Sequence, residues 1–570
     1  MDRTKKGSAG FRIVNGVLVF GSLMICLILF CRILDSLANI WAVSRLYYSY
    51  NEMRDYVGIR LSQFVMNGIN PYTLENAVSG TVPFLYQYTG LTPVLVGLFC
   101  RFTGVGIIEA NYVFCFVYII LTSCNLYLIF KDKSEDILYN AVLFVCVLLN
   151  TSTFFSMFGN TILTWRPDAS GLYLCSLIFL ITYKNPKRTA LLAALSVLLI
   201  ITKQFLIVFC TPLFFYLLIR DIWNDDSQIT NSENNGQHVK QDIGKRIRGG
   251  NALRYIIFCI IFGLVLFFSI RILFPLYWTE TIYGQYLSTA KHALPFEIAL
   301  SGLNLFFIRY RWYWIVSVGC IAMLLIRKRR MNAQNRSVSV CIKDHGFAVY
   351  LLLNFVCGVL TCLYVARIEA DNFHYCGSLI GPGLFMIMLC LLSFIKRNFE
   401  NRTQTANSVF LAVLALITLG VIGNHYTDKY QTEDIKNIGS VYSILDEHKD
   451  EEMYIGIAAT GWILKEGLAE PKNIWFNDGQ TEFFNTYTAG GPSFQKTIFY
   501  GIEDLGRIAG NYVREVNEKV SRKEFCVITL EHDKLIDREL LLQNYDLQGS
   551  YPMKNDNTVF FETEVWLRKE

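Results

Sequence analysis

The sequence predicts an α-helical polytopic membrane protein of about eleven transmembrane helices, with a small extracytoplasmic α/β domain at its C-terminal end. Three observations carry this. The 570 residues are 53% hydrophobic and only 17% charged, with a mean hydropathy of +0.34, where a soluble chain carries about a quarter charged residues. The charge deficit is local, falling in apolar runs close to the ~20 residues that cross a bilayer as a helix. Lys and Arg gather in alternate loops between those runs.

The runs place spans near 13–31, 107–130, 137–150, 169–183, 189–202, 204–219, 255–274, 312–326, 347–365, 376–395 and 407–424. The first follows Lys5, Lys6 and Arg12, but it is long and lacks a small-residue cleavage pattern, so it reads as a helix and not a removable signal. The apolar stretch 91–104 would break the in–out alternation as a span, and it reads as re-entrant or interfacial. The run 189–219 reads as two spans or one long tilted helix. With the N-terminus cytoplasmic, the inner segments hold 24 Lys and Arg against 11 in the outer ones, as the positive-inside rule requires. Trp41, Trp165, Trp278, Trp312 and Trp314 then fall at outer edges, where indole favours the headgroup region. The expected location is the cell membrane.

Two units follow: a membrane domain over 1–424, with an external loop at 32–106, and an extracytoplasmic domain over 425–570. In the loop, Val57, Leu61, Phe64 and Val65 share one face of a helix over 53–66, expected to lie apolar side down on the membrane. Gly68 and Pro71 stop it. Residues 225–250 read as a polar cytoplasmic linker. In the C-terminal domain, 453–459 and 525–530 read as buried parallel strands and 499–520 as a helix between them.

The net charge of +5 comes from residues scattered over loops and gives no reason to expect nucleic acid. Most of the 16 cysteines lie in apolar runs, where they act as small hydrophobes. No Cys/His spacing suggests a metal site. No phosphate-binding loop, dinucleotide fingerprint or HExxH pattern occurs, which argues against an ATP-driven pump and a zinc protease.

Four polar places stand at outer edges, and ionisable groups at such positions are functional candidates. Glu52 and Asp55 precede the loop helix; each is a solvated carboxylate or a general base. Arg166 in Trp165-Arg166-Pro167-Asp168 can grip a phosphate bidentately or pair with Asp168. Lys203-Gln204 interrupts an apolar run and needs a partner, a wet cavity or a route to the surface. Arg367 to Tyr375 crowd a short loop with Arg367, Asn372, His374 and Tyr375, either a binding loop or a wet turn.

Taken in order, these places resemble the GT-C superfamily of membrane glycosyltransferases, and within it bacterial proteins similar to dolichyl-phosphate-mannose protein mannosyltransferases. The resemblance runs over nearly the whole chain: Asp55, then Gly68-Ile69-Asn70-Pro71-Tyr72, then Tyr86 to Pro93 leading into a helix ending Phe102-Thr103-Gly104. Arg166-Pro167-Asp168, Lys203-Gln204, Asn372-Phe373-His374-Tyr375 and a C-terminal α/β domain containing Val565-Trp566-Leu567 complete it. Each motif is short; their order and shared sidedness carry the resemblance.

It implies an inverting enzyme that moves a sugar from a polyprenyl-phosphate carrier to a glycan, lipid or protein acceptor outside the cytoplasm. The base role falls on Asp55, with Glu52 second. Many relatives have two adjacent acidic residues, whereas here two positions separate them. Arg166, Lys203 and Arg367 are expected at the donor phosphate, and Asp168, Gln204, Asn372, His374, Tyr375 and Tyr72 at substrate. Some relatives use a metal; the sequence leaves the cofactor open. Two other classes stay in view: an envelope polysaccharide polymerase or ligase with its chemistry in later loops, and a lipid-linked-sugar transporter, which would show inverted repeats.

Overall fold

The computed structural model describes all residues except 1–2, 48–54, 79–81, 87–88, 132–136, 155–167, 224–249, 285–295, 333–341, 366–372, 398–402, 424–431, 457–458, 466–472, 478–480, 482–498, 532–534 and 556–557. The membrane part consists of α1 (Arg3–Tyr47), α2 (Asp55–Met66), α3 (Leu74–Ala77), α4 (Leu91–Thr103), α5 (Ile107–Phe130), α6 (Ile137–Thr153), α7 (Asp168–Lys184), α8 (Thr189–Thr202) and α9 (Ile207–Trp223). After them come α10 (Asn251–Leu273), a π-helical turn Thr279–Tyr283, α11 (Phe296–Arg309), α12 (Arg311–Asn332), α13 (Ile342–Val365), α14 (Phe373–Arg397) and α15 (Thr403–Ile422).

Every expected span is helical. Among the described residues seven helices are long and apolar enough to cross a membrane, and the others are shorter apolar helices packed in the same bundle. The stretch 91–104 is the 13-residue α4, about 20 Å long and too short to cross ~30 Å of hydrocarbon. The run 189–219 is not one long helix, because α8 ends at Lys203, whose backbone is extended (φ −158°, ψ 117°). The N-terminal helix is much longer than its apolar run. At 45 residues it extends about 68 Å, and it contacts helices of the C-terminal unit.

The loop helix α2 departs from expectation in its surroundings. Val57, Leu61 and Phe64 are buried, but against Tyr72, Phe84, Tyr86, Leu276, Tyr277 and Leu505. The chain supplies the cover assigned above to the membrane. Its opposite face is buried too: Ile59 joins a core with Val96 and Cys100 of α4, Ala110 of α5 and the C-terminal strands.

The C-terminal unit contains α16 (Thr432–Glu447), β1 (Met453–Ile455), α17 (Thr460–Lys465), β2 (Ile474–Phe476), α18 (Ile502–Ser521), β3 (Val527–Leu530), α19 (Arg538–Asn544), β4 (Tyr545–Asn555) and β5 (Thr558–Arg568). The expected parallel strands exist as β1 and β3, and β2 pairs parallel on the far side of β1. The β5–β4 hairpin, unforeseen in the sequence, adds antiparallel to β3, giving the order β2-β1-β3-β5-β4. Buried Arg60 locks this unit to α2. Its guanidinium donates to the carbonyls of Val82 (2.7 Å) and Pro83 (3.2 Å). It also lies over the rings of Phe64, Phe84 and, at 5.1 Å, Phe476 at the end of β2. The C-terminal unit thus caps the end of the bundle that carries α2 and α4.

Candidate active site at the capped end

Three segments far apart in sequence meet under this cap. The first is 68–93. Gly68 adopts a left-handed conformation (φ +78°) that ends α2, as glycine does at modest cost. Asn70 then builds a turn: its carbonyl side-chain oxygen accepts the Tyr72 amide (3.1 Å) and its amide donates to Leu273 O of α10 (2.6 Å). This carries Tyr72 inward, 1% exposed, between the rings of Phe274 and Tyr277. Its hydroxyl is buried and has no hydrogen-bond partner among the described residues. A Cβ on Gly90 would fall 2.2 Å from that hydroxyl, so only glycine fits there. Burial, with Tyr277 and the Glu280 charge close by, pushes the Tyr72 phenol well above its ordinary range.

The second segment is the break between α8 and α9. In a continuous helix Thr202 O would accept the amide of Leu206. Here it accepts the Thr89 hydroxyl, and the Leu206 amide turns to Lys203 O (3.0 Å) to close a 3₁₀ turn over Gln204–Leu206. Lys203 and Gln204 therefore sit at a helix interruption, half-buried, and not along a lipid-facing helix.

The third segment is the π-helical turn after α10, a geometry frequent at functional sites. Glu280 on it is fully buried and accepts the Tyr86 amide (3.0 Å). Gln204 donates to Thr281 O (2.8 Å), so the lysine and the carboxylate flank one direct contact between break and turn. The Thr279 hydroxyl donates to Tyr500 O (2.6 Å) and Tyr283 packs on Phe499, which ties the turn to the cap. The Thr92 hydroxyl bonds Ser170 at 2.7 Å, holding the first turn of α7 at the same place.

Of the residues singled out in the sequence, Gln204 bonds the Glu280 turn with Lys203 next to it in the chain, Tyr72 packs on Tyr277 just before that turn, and the backbone of Asp168 opens α7 two residues before Ser170. Asp55 opens α2 and His374 and Tyr375 lie in the first turn of α14. The side chains of Asp55, Asp168, His374 and Tyr375 lie outside the described residues, as do Glu52, Arg166, Arg367 and Asn372 altogether. The start of α14 meets a different neighbourhood: Gly377 faces Phe154 O and the Tyr310 hydroxyl. Sequence reasoning missed Glu280. Its one signal was a carboxylate amid Trp278, Ile282 and Tyr283, directly after a span.

This arrangement brings the Lys203-Gln204 break against the turn that carries buried Glu280, with Tyr72 packed on Tyr277 just before that turn.

No protein-family model and no curated protein matches the chain. A solved structure described as ArnT from Cupriavidus metallidurans bound to undecaprenyl phosphate is similar over 94% of this chain and 97% of its own, at 8% identity and a TM-score of 0.46.

Proposed function

We propose that the chain is a GT-C-type glycosyltransferase that moves a sugar from a polyprenyl-phosphate carrier to an extracytoplasmic acceptor, with inversion. The observation that supports this reading is the meeting of the 68–93 segment, the Lys203-Gln204 break and the Glu280 turn at one end of a bundle of apolar helices. A donor with a membrane-bound tail and a polar head needs that combination.

In the proposed reaction the acceptor hydroxyl attacks the anomeric carbon from the face opposite the phosphate. The new C–O bond forms as the C–O bond to phosphate breaks, and the acceptor proton passes to Asp55, with Glu52 as the alternative base. The carrier leaves as a phosphate monoester, its growing charge met by Lys203, Arg166 and Arg367. Asp168, Gln204, Tyr72, Asn372, His374 and Tyr375 hold sugar and acceptor. Glu280 positions the 86–93 segment through the Tyr86 amide. The excess of Lys and Arg in alternate segments favours the N-terminus inside and residues 425–570 outside.

The test is transfer by purified protein in detergent, supplied with polyprenyl-phosphate sugars and acceptor candidates. Wild type is expected to release carrier phosphate only with acceptor present, and Asp55→Asn to lose transfer while inserting normally. Asp55→Asn and Glu52→Gln each at wild-type rate would overturn the base assignment. Flux of the lipid-linked sugar without bond cleavage would replace the reading with transport.

A further inference from the structure

A second group of chemistry-capable side chains lies at the N-terminal ends of β1 and β3 in the C-terminal sheet, and sugar transfer gives it no role. We propose that His448, Glu451 and Cys526 form a binding site for a divalent transition metal of the zinc class. One ligand atom from each lies within 4.8 Å of the other two. Around a single zinc, with ligands at ~2.0–2.3 Å, such atoms stand roughly 3–4 Å apart. The His448 Nδ1 and Glu451 Oε1, now 2.9 Å apart, need only separate by a fraction of an ångström.

The backbone fixes the three residues independently of any ion. The Glu451 amide donates to His448 O (2.9 Å), closing the turn after α16. The Asn473 side chain clamps that turn by donating to Lys449 O (3.1 Å) and Glu451 O (2.9 Å). Cys526 is held between neighbouring strands: its amide donates to Glu452 O (2.8 Å) and its carbonyl accepts the Arg568 amide (3.1 Å). A ligand set held this way loses little freedom on binding.

The donors choose the ion. Imidazole, carboxylate and thiolate together suit zinc and its neighbours, whereas magnesium and calcium take oxygen ligands. Cys526 is buried at 6% exposure, so its sulfur faces the other two ligands from the protein side. The imidazole of His448 and the carboxylate of Glu451 are 29% and 50% exposed, which leaves a path for the ion and room for water as fourth ligand. The bound metal would staple the turn after α16 to β3.

The test uses the full-length chain in detergent, stripped with a chelator and titrated with Co²⁺. The expected result is one ion per chain, a thiolate-to-cobalt charge-transfer band, displacement by Zn²⁺, and a higher melting temperature in its presence. Cys526→Ser should abolish the band. His448→Gln changes a partly exposed residue that folding tolerates, and it should weaken Co²⁺ binding about tenfold or more. No band in wild type, or unchanged affinity in His448→Gln, overturns the proposal. Both readouts are independent of sugar transfer.

Discussion

The interior of the bundle and its capped end differ in how they satisfy buried polar groups. In the interior many of these groups are small and close their hydrogen bonds within their own helix. Ser123 donates to Ile119 O, Thr418 to Leu414 O and Asn354 to Tyr350 O. Bonds between helices occur there too: Asn150 donates to Thr418 and accepts the Tyr313 hydroxyl (2.6 Å), Tyr255 donates to Ser196 (2.8 Å) and Tyr310 to Thr153 O (2.8 Å). At the capped end such groups bond across segments remote in sequence: Arg60 to Val82, Tyr86 to Glu280, Gln204 to Thr281, Thr89 to Thr202. Bonds within one helix satisfy a polar group and little more. Bonds between remote segments fix where each segment stands, which is what a reaction site requires.

The largest break in this comparison is expected at the proposed base. Asp55→Asn should lower transfer by about 10²–10⁴-fold, the span of a general base, with the melting temperature unchanged. Lys203→Met keeps the side-chain length and removes the charge. It should reduce transfer by about 10²-fold or more, as loss of one preorganised charge-stabilising donor does. Measuring carrier-phosphate release against donor concentration checks both.

Glu280→Gln keeps the shape of the turn and an acceptor oxygen for the Tyr86 amide. Transfer should fall less than in Lys203→Met, with binding of donor and turnover both affected. Equal loss in the two variants would instead put Glu280 among the groups that touch substrate. At Arg60 the expected effect is on stability. Arg60→Lys loses the planar fork and the stacking on three rings, and it should cost about 2 kcal/mol, read as a lower unfolding midpoint. The smallest effect belongs to the N-terminal end of the inner strands, where Lys519 lies between Glu452 (2.8 Å) and Glu524 (2.5 Å). Hydrogen bonding to Lys519 holds the Glu524 carboxyl below its ordinary value. Its contribution is present at neutral pH and fades as pH falls through that lowered value. Lys519→Met should flatten this part of the acid limb of a stability-versus-pH curve.

What could be read in the sequence follows the same divide. The bundle was legible because membrane helices announce themselves by length and hydropathy, and α5 occupies the residues expected of it. The helix break at Lys203 left a mark in the sequence, a cation within an apolar run. Glu280 was not legible: a carboxylate after a span reads as solvated, and its burial depends on Tyr72, Tyr86 and the cap folding over it. The β4–β5 hairpin escaped because its strands mix polar and apolar residues without a core-like run. The surroundings of α2 were misjudged for a related reason. An amphipathic face declares that it must be covered, and a protein cap and a lipid surface satisfy it equally.

The central claim is that the carrier headgroup binds at the break between α8 and α9, under the cap. The most direct measurement is photo-crosslinking of a polyprenyl phosphate bearing a reactive group near its phosphate, with labelled peptides mapped by mass spectrometry. The account predicts label on peptides covering 68–93, 199–206 and 276–284, lost from wild type on competition with unmodified carrier and sharply reduced in Lys203→Met. Label confined to other faces of the bundle, or undiminished in Lys203→Met, would contradict it.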